Sequence, residues 1–383
     1  MAASRLAIGQ SPDAIDGQVR MHQLQSIGTH NSYHIAPHPR LEKWIALVGK
    51  SILEGIQYTH RPLEEQLGRL QVRQLELDVY ADPEGGLFSK PIGAAMAGTG
   101  GDPKGLDPNA DGALDAPGFK ILHAPGFDYA TRVATLREAF RQIREWSDRS
   151  PGHLPVLVMI ELKESSPVSA GVSLVKFDRQ LLQQLDDLIH ASFPRQQLLL
   201  PEDLKVEGVD TIRDAVLQQG WPTLSQARGK LIFALDNEGS WVDRYLDAQE
   251  GDRQKATLFV SVEPTHPMAA WMKRNDPVGQ FEEIQSLVRR NFMVRTRADA
   301  DTLQARSGDT SRRDSAWASG AQWISTDFPE PDPRWPDYWV AWPDHQVARW
   351  NPLHPTDHPS PVRWEPRIEW SGTSKKGTES LGR

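Results

Sequence analysis

The chain of 383 residues contains no cysteine. Disulfides, thiolate zinc sites, iron–sulfur clusters and cysteine nucleophiles are therefore all excluded, while the redox compartment is left open. No apolar run approaches the ~18 residues of a membrane-spanning helix. The opening MAASRLAIGQSPDAIDG has neither a basic segment nor an apolar stretch of ~7–15 residues, so no signal peptide is visible. Basic residues number 43 against 51 acidic ones, a formal charge of −8. A mildly acidic chain without a basic block is a poor nucleic-acid binder, and no nucleic-acid partner is expected.

What is present is ordinary for a globular protein: 38% hydrophobic and 25% charged residues. Short apolar runs alternate with helical ones from about residue 22 to 327, the pattern of βα units on a parallel sheet. Eight strands are expected: 22–28, 74–80, 120–123, 156–162, 230–235, 258–262, 292–296 and 322–326. Eight is the number that closes a parallel barrel, so the fold class is α/β, a TIM-type (β/α)8 barrel, regular or distorted. Val133, Leu136, Phe140, Ile143 and Trp146 form a helical stripe, which Thr135 and Glu138 start as a capping box. Leu174, Phe177, Leu181, Leu185 and Leu188 repeat that spacing, and residues 309–319 form a short helix ended by Gly320.

Two stretches break the rhythm. Residues 81–119, rich in Gly, Pro, Ala and Asp, read as a long loop over the barrel mouth. Residues 329–370, dense in Pro and Trp, read as an irregular wrap anchored by buried indoles. The expected organisation is one catalytic domain over 1–370 with a frayed tail at 371–383.

Barrel enzymes carry their chemistry at the carboxyl ends of the strands. Read in order, those ends offer His30 and Asn31, Glu76 and Asp78, His123, Glu161 and Lys163, Asp236, Glu263, Arg295 and Arg297, and Asp327. Residues two apart on a strand share a face, so Glu76 and Asp78 point the same way, as do Glu161 and Lys163. Asn31, Glu76, Asp78 and Glu161 make an oxygen-rich set suited to a hard cation, Ca²⁺ better than Mg²⁺. The bland alternative is a structural ion network in which Lys163, Arg295 and Arg297 pair these acids. His30 and His123 come from different strands. Beside a cation they suit paired base and acid catalysis; taken singly, each reads as a hydrogen-bonded structural histidine. Asp107 to Gly112 matches the start of a calcium loop, yet Gly118 stands where a bidentate Glu is required, and a plain turn is expected.

The runs GTHNSYH, RQLELDVY, ILHAPGFDY, VLVMIELKE, GKLIFALDN and VRTRADAD…SGAQWISTD together resemble the calcium-dependent, phosphoinositide-specific phospholipase C-like enzymes of bacteria. The resemblance covers roughly residues 22–353, and the ordered His-Asn, Glu-x-Asp, His, Glu set is also similar to the eukaryotic phospholipase C barrel. It implies His30 and His123 as catalytic residues and Asn31, Glu76, Asp78 and Glu161 as calcium ligands. Lys163, Arg295 and Arg297 are left to hold substrate phosphate or hydroxyls. The implied reaction is phosphodiester cleavage of a phosphatidylinositol-like substrate by its own hydroxyl. Glycerophosphodiester phosphodiesterase is the rival, since Glu161-Leu162-Lys163 resembles that family's Glu-x-Lys; its opening His-Arg-Gly is replaced here by His30-Asn31-Ser32. A non-catalytic barrel that binds phosphorylated head groups is the third reading. The expected state is a secreted or periplasmic monomer in peripheral contact with a membrane, the cytoplasm being the alternative compartment.

Overall fold

The computed structural model describes residues 15–97, 107–166, 171–249, 253–343, 346–354 and 364–365. The expected tail at 371–383 lies outside the described residues, as do residues 98–106 of the long loop and 344–345, 355–363 and 366–370 of the wrap.

Ten strands run in chain order as β1 (Leu24–Thr29), β2 (Gln74–Asp82), β3 (Gly118–Ile121), β4 (Val156–Leu162), β5 (Leu231–Leu235), β6 (Phe259–Val260), β7 (Trp271–Lys273), β8 (Met293–Arg297), β9 (Trp323–Thr326) and β10 (Ala348–Trp350). Eight of them line up in parallel as β6-β5-β4-β2-β1-β9-β8-β7. A parallel bridge between Ser261 and Trp271 brings the two ends of this row together. The protein is thus an α/β fold with a nearly closed, TIM-like eight-stranded barrel, as the strand count requires.

The membership of the eight differs from the sequence expectation in one place. Residues 120–123 do not form a barrel stave: β3 runs antiparallel to the outer end of β2, pairing Val79 with Ile121. The missing stave is β7, three residues long, joined to β6 by a connection that holds no helix. A run this short shows no period-two alternation to read. The second helical stripe also starts later than its spacing suggests. Asp178 caps a helix over Arg179–Ser192 by accepting from the Leu181 N–H, leaving Leu174 and Phe177 ahead of it. The first stripe forms Leu136–Arg149 with Thr135 as its cap, and Ser311–Ala318 is followed by Gly320 at φ 82°.

β1 and β2 meet at a single register pair, Gly28 with Gln74. A Cβ on Gly28 would lie 2.0 Å from the Gln74 amide oxygen, so only glycine admits the glutamine, whose Nε2 donates to the Thr29 carbonyl at 3.1 Å. The free edge of β1 below this point is taken by β10, antiparallel, with Leu24 opposite Trp350. The wrap therefore contributes a strand as well as irregular backbone. Trp342 and Trp364 are buried, Trp335 and Trp350 pack against the core, and Trp339 remains 41% exposed. Trp370 lies outside the described residues. Residues 107–115 form turns in which Asp107 and Asp111 accept from the Asn109 and Ala113 N–H groups, as a plain turn-rich loop does.

The far end of the described chain is held by charge. Glu365 receives Arg73 Nε at 2.9 Å and a second guanidinium nitrogen, and its Oε1 also accepts the Leu154 N–H at 2.6 Å. Arg73 is 2% exposed, so removing its partner strands a buried cation. Glu365→Ala should therefore cost about 3–5 kcal/mol in equilibrium urea unfolding. A loss below about 1 kcal/mol would show that this contact carries nothing.

Candidate active site

The turn after β1 is locked to β2 before any functional group is placed. Ser32 N–H donates to the Glu76 carbonyl at 2.9 Å, and Glu76 N–H donates back to Ser32 Oγ at 2.8 Å. Thr29 Oγ1 lies 2.7 Å from Ser32 Oγ and donates to Gln66, whose amide donates to the Ser32 and Arg61 carbonyls. Inside this frame Asn31 takes φ 44°, a left-handed conformation that asparagine tolerates better than most residues. Its Nδ2 donates to the Tyr58 hydroxyl at 3.2 Å, and its buried Oδ1 has no partner.

Strand register brings the acids together. Glu76 and Asp78 are both buried on β2, and Asp78 sits beside Glu161 across the β2–β4 pair. Asp236, just past β5, is held by its N–H to the Ile160 carbonyl at 2.8 Å. Oxygens of Glu76, Glu161 and Asp236 lie within 4.8 Å of one another. Burial pushes the Glu76 carboxyl up to about 8 against the pull of Arg295. Burial and the neighbouring Asp78 charge likewise push Glu161 up to about 7, with Lys163 opposing.

Basic side chains press on this ring. Lys163 Nζ is 2.8 Å from Glu161 and 3.1 Å from Asp78. Arg295 is 1% exposed and pairs with Glu76 and with Asn275 Oδ1. Arg297 reaches Asp327 at 3.3 Å, and Lys273 binds Asp236 Oδ2 at 2.9 Å. The ion network that the sequence allowed is therefore present, and it leaves donors over. Both Asp78 oxygens lack a hydrogen bond of good geometry, and Asn31 Oδ1 and Asp236 Oδ1 are bare. Buried oxygens left unpaired among like charges fit a hard divalent cation: Asn31, Asp78 and Asp236 offer such oxygens, and Glu76 and Glu161 close on Asp236, so the chemistry of the donors fits the expected calcium.

Each candidate catalytic histidine leans on a carboxylate. His30 Nδ1 donates to Asp327 at 2.8 Å, its Nε2 lies 3.7 Å from Glu76, and its carbonyl is fixed by His60 Nε2 at 2.8 Å. Burial, with Arg297 and Arg295 close by, pushes the His30 imidazole well below its ordinary value. His123 follows the outer strand β3 and so enters the mouth from the side, 31% exposed, with Nδ1 2.6 Å from Asp128. Burial works against its proton, yet the Asp128 hydrogen bond and charge outweigh it and raise the His123 value. Asp128 also faces His34 Nε2 at 3.0 Å, and His34 Nδ1 donates to the Tyr58 carbonyl at 3.0 Å. In both dyads Nδ1 is engaged, so Nε2 is the atom left for proton transfer.

Sequence reasoning had His34 in GTHNSYH and Asp128 in ILHAPGFDY without giving either a role, and it missed Lys273 altogether. It noted Asp236 and Asp327 only as strand-end acids. Asp327 carried the clearest signal, since it ends the last stave beside the first. Lys273 was hidden on the unread stave, and Asp128 lies in a loop with no period to flag it.

A model of the family described as phosphoinositide phospholipase C, Ca²⁺-dependent, matches residues 19–352. Among solved structures, the calcium-dependent phosphoinositol-specific phospholipase C of Pseudomonas sp. in its myoinositol complex is 16% identical, covers 89% of this chain and 99% of that one, and gives a TM-score of 0.52. An apo crystal form of the same enzyme is 15% identical, with 91% and 100% covered and a TM-score of 0.51. The Ca²⁺-dependent phosphatidylinositol-specific phospholipase C of Streptomyces antibioticus is 16% identical, with 81% and 95% covered and a TM-score of 0.49. No curated protein matches the chain. At these identities the two Pseudomonas structures attest to the fold alone. The family match over most of the chain does the rest: the protein belongs to the Ca²⁺-dependent phosphoinositide phospholipase C family, which are phosphoric diester hydrolases.

Proposed function

We infer that the protein cleaves the phosphodiester of a phosphatidylinositol-like lipid through the head group's own hydroxyl, with His30 as base and His123 as acid. The observation that carries this is the opposite displacement of two imidazoles at one mouth. Groups whose environments push their proton affinities apart are suited to base and acid roles. His30, held neutral, takes the hydroxyl proton at Nε2 while Asp327 steadies Nδ1. The freed oxygen bonds to phosphorus, the bond from phosphorus to the glycerol oxygen breaks, and His123 gives its Nε2 proton to that departing oxygen. Asp128 keeps His123 protonated for this task. Asn31, Glu76, Asp78 and Glu161 would hold Ca²⁺, which would supply Lewis acidity and charge neutralisation at the phosphate. Lys163, 20% exposed, and Arg297 face the phosphate or ring hydroxyls. Arg295 holds Glu76.

The rim suits a substrate embedded in a bilayer. Helices over Pro39–Val48 and Lys50–Gly55 follow the mouth end of β1 and expose Leu47 (78%), Val48 (56%) and Ile52 (43%). Lys50 beside them is 83% exposed and lies 3.5 Å from Glu54. No helix among the described residues is long and apolar enough to cross a membrane.

Phosphatidylinositol should be hydrolysed with calcium and not in chelator, releasing a cyclic or inositol phosphate; glycerol 3-phosphate as the product would sink this reading. His30→Ala and His123→Ala should each lower turnover by about 10²–10⁴-fold. A nitrophenyl leaving group, needing little protonation, should largely rescue His123→Ala and leave His30→Ala slow. Losses of only a few-fold would make both histidines structural.

The pH profile of kcat/KM should be a bell. His30 must be unprotonated, and its lowered value sets the acid limb well below pH 6.5. His123 must be protonated, and its raised value sets the alkaline limb above pH 6.5. Asp128→Asn removes the raising contact, so the alkaline limb should move to lower pH while the acid limb stays. An unmoved alkaline limb would separate Asp128 from the acid. On the rim, Leu47→Asp with Val48→Asp should weaken sedimentation with phosphatidylinositol-containing vesicles by about tenfold and spare hydrolysis of a soluble substrate. Equal sedimentation would place the lipid contact elsewhere.

A further inference from the structure

Asp236 has a place in the acid ring that the four expected calcium ligands do not account for. It is 6% exposed, and its backbone is fixed by the N–H bond to Ile160. Its two oxygens differ. Oδ2 accepts from Lys273 Nζ at 2.9 Å, and the same ammonium also binds the Asp236 carbonyl at 2.5 Å. Oδ1 is buried with no partner. The other two acids in this group show the same division of labour. Glu76 gives Oε2 to Arg295, and Glu161 gives Oε1 to Lys163, and all three carboxylates keep oxygens within 4.8 Å of one another. Each acid is thus tethered by a cation on one oxygen, from one of three adjacent staves. A carboxylate needed only as the counter-charge of Lys273 has no reason to hold a second, bare oxygen inside a ring of like charges.

We propose that Asp236 binds the same Ca²⁺ through Oδ1, as a fifth protein donor beside Asn31, Glu76, Asp78 and Glu161, and that it sets the preference for calcium over magnesium. The proposal rests on the reading that this ring holds a cation. Calcium accepts about 6–8 oxygens in flexible geometry, so five protein donors leave room for substrate oxygens. Magnesium demands six in near-ideal geometry and keeps several waters, which a five-donor cage denies it. Lys273 aims the carboxylate by fixing Oδ2, so it acts as a positioning residue.

Isothermal titration of the full chain with calcium and with magnesium tests this without any assay of turnover. Asp236→Asn keeps an acceptor for Lys273 and loses the charged donor. It should raise the calcium dissociation constant by about tenfold or more, change the magnesium constant less, and so narrow the preference. An unchanged melting temperature in chelator would verify that the variant is folded. Should the variant fail to fold, a wild-type crystal soaked in calcium decides, with Asp236 Oδ1 expected ~2.3–2.6 Å from the ion. Calcium affinity within twofold of wild type in the folded variant, or an ion held by the other four residues with Asp236 left on Lys273, would overturn the proposal alone. A wild-type protein that binds no calcium would overturn both it and the function it rests on.

Discussion

Glu76, Asp78, Glu161 and Asp236 are delivered to one place by the parallel pairing of β2, β4 and β5, whatever their charges prefer. Burying ionised groups costs several kcal/mol each unless opposite charge and hydrogen bonds compensate. The protein meets this demand with Arg295, Lys163 and Lys273, each fastened to an acid. None of the three reaches Asn31 Oδ1 or Asp236 Oδ1, and both remain bare. The upward displacement of Glu76 and Glu161 is the measure of what stays uncompensated. A divalent cation in the ring would draw those values down again, so metal affinity and the strain of assembling the acids are two views of one electrostatic fact.

The histidines reach the mouth on different segments, and their imidazoles are displaced in opposite directions. His30 belongs to the turn after β1, hemmed in by Arg295 and Arg297, and a cation beside it would favour its neutral form further. His123 arrives on the β3 excursion, away from the arginines and against Asp128. The two imidazoles are displaced in opposite directions because burial, with Arg297 and Arg295 adding to it, dominates at His30, whereas the Asp128 hydrogen bond and charge outweigh burial at His123.

Much of this was legible before any coordinates, because strand periodicity and polar strand ends report on local chemistry. Glu76 with Asp78, and Glu161 with Lys163, declare their shared face by spacing alone. The barrel was inferred from a count of eight in which one member was wrong. Lys120–His123 has strand composition yet pairs outside the barrel, while Trp271–Lys273 is too short to alternate. The cost of that error was local: Lys273 disappeared from view, and with it the reason Asp236 matters. Arg295 shows the opposite limit. Its position on β8 was clear, but whether a guanidinium points to substrate or to a buried acid depends on what the opposite wall of the barrel presents, here Glu76. A separation of 219 residues hides that pair, whereas His123 and Asp128 are close in sequence and are hidden because the partner lies in a turn without period.

The β1–β2 junction explains why the fold tolerates so little pairing at its most important seam. Those strands share one register pair, and β10 takes the rest of the β1 edge. Stiffness comes instead from side chains that touch no reacting atom. Gln66 ties the Ser32 and Arg61 carbonyls, Ser32 exchanges hydrogen bonds with Glu76, and Gln74 fills the space that Gly28 vacates. His30 and Asn31 lie between these anchors and therefore move with β2, the strand that carries Glu76 and Asp78. Groups that must act together are held within fractions of an ångström only when their supports are themselves locked. A wider ladder between β1 and β2 would hold the strands equally well, but it would leave no turn free to adopt the left-handed bend at Asn31. The sparse backbone pairing and the dense polar frame are thus one arrangement: the first opens the turn, and the second keeps it in register with the acids it must face.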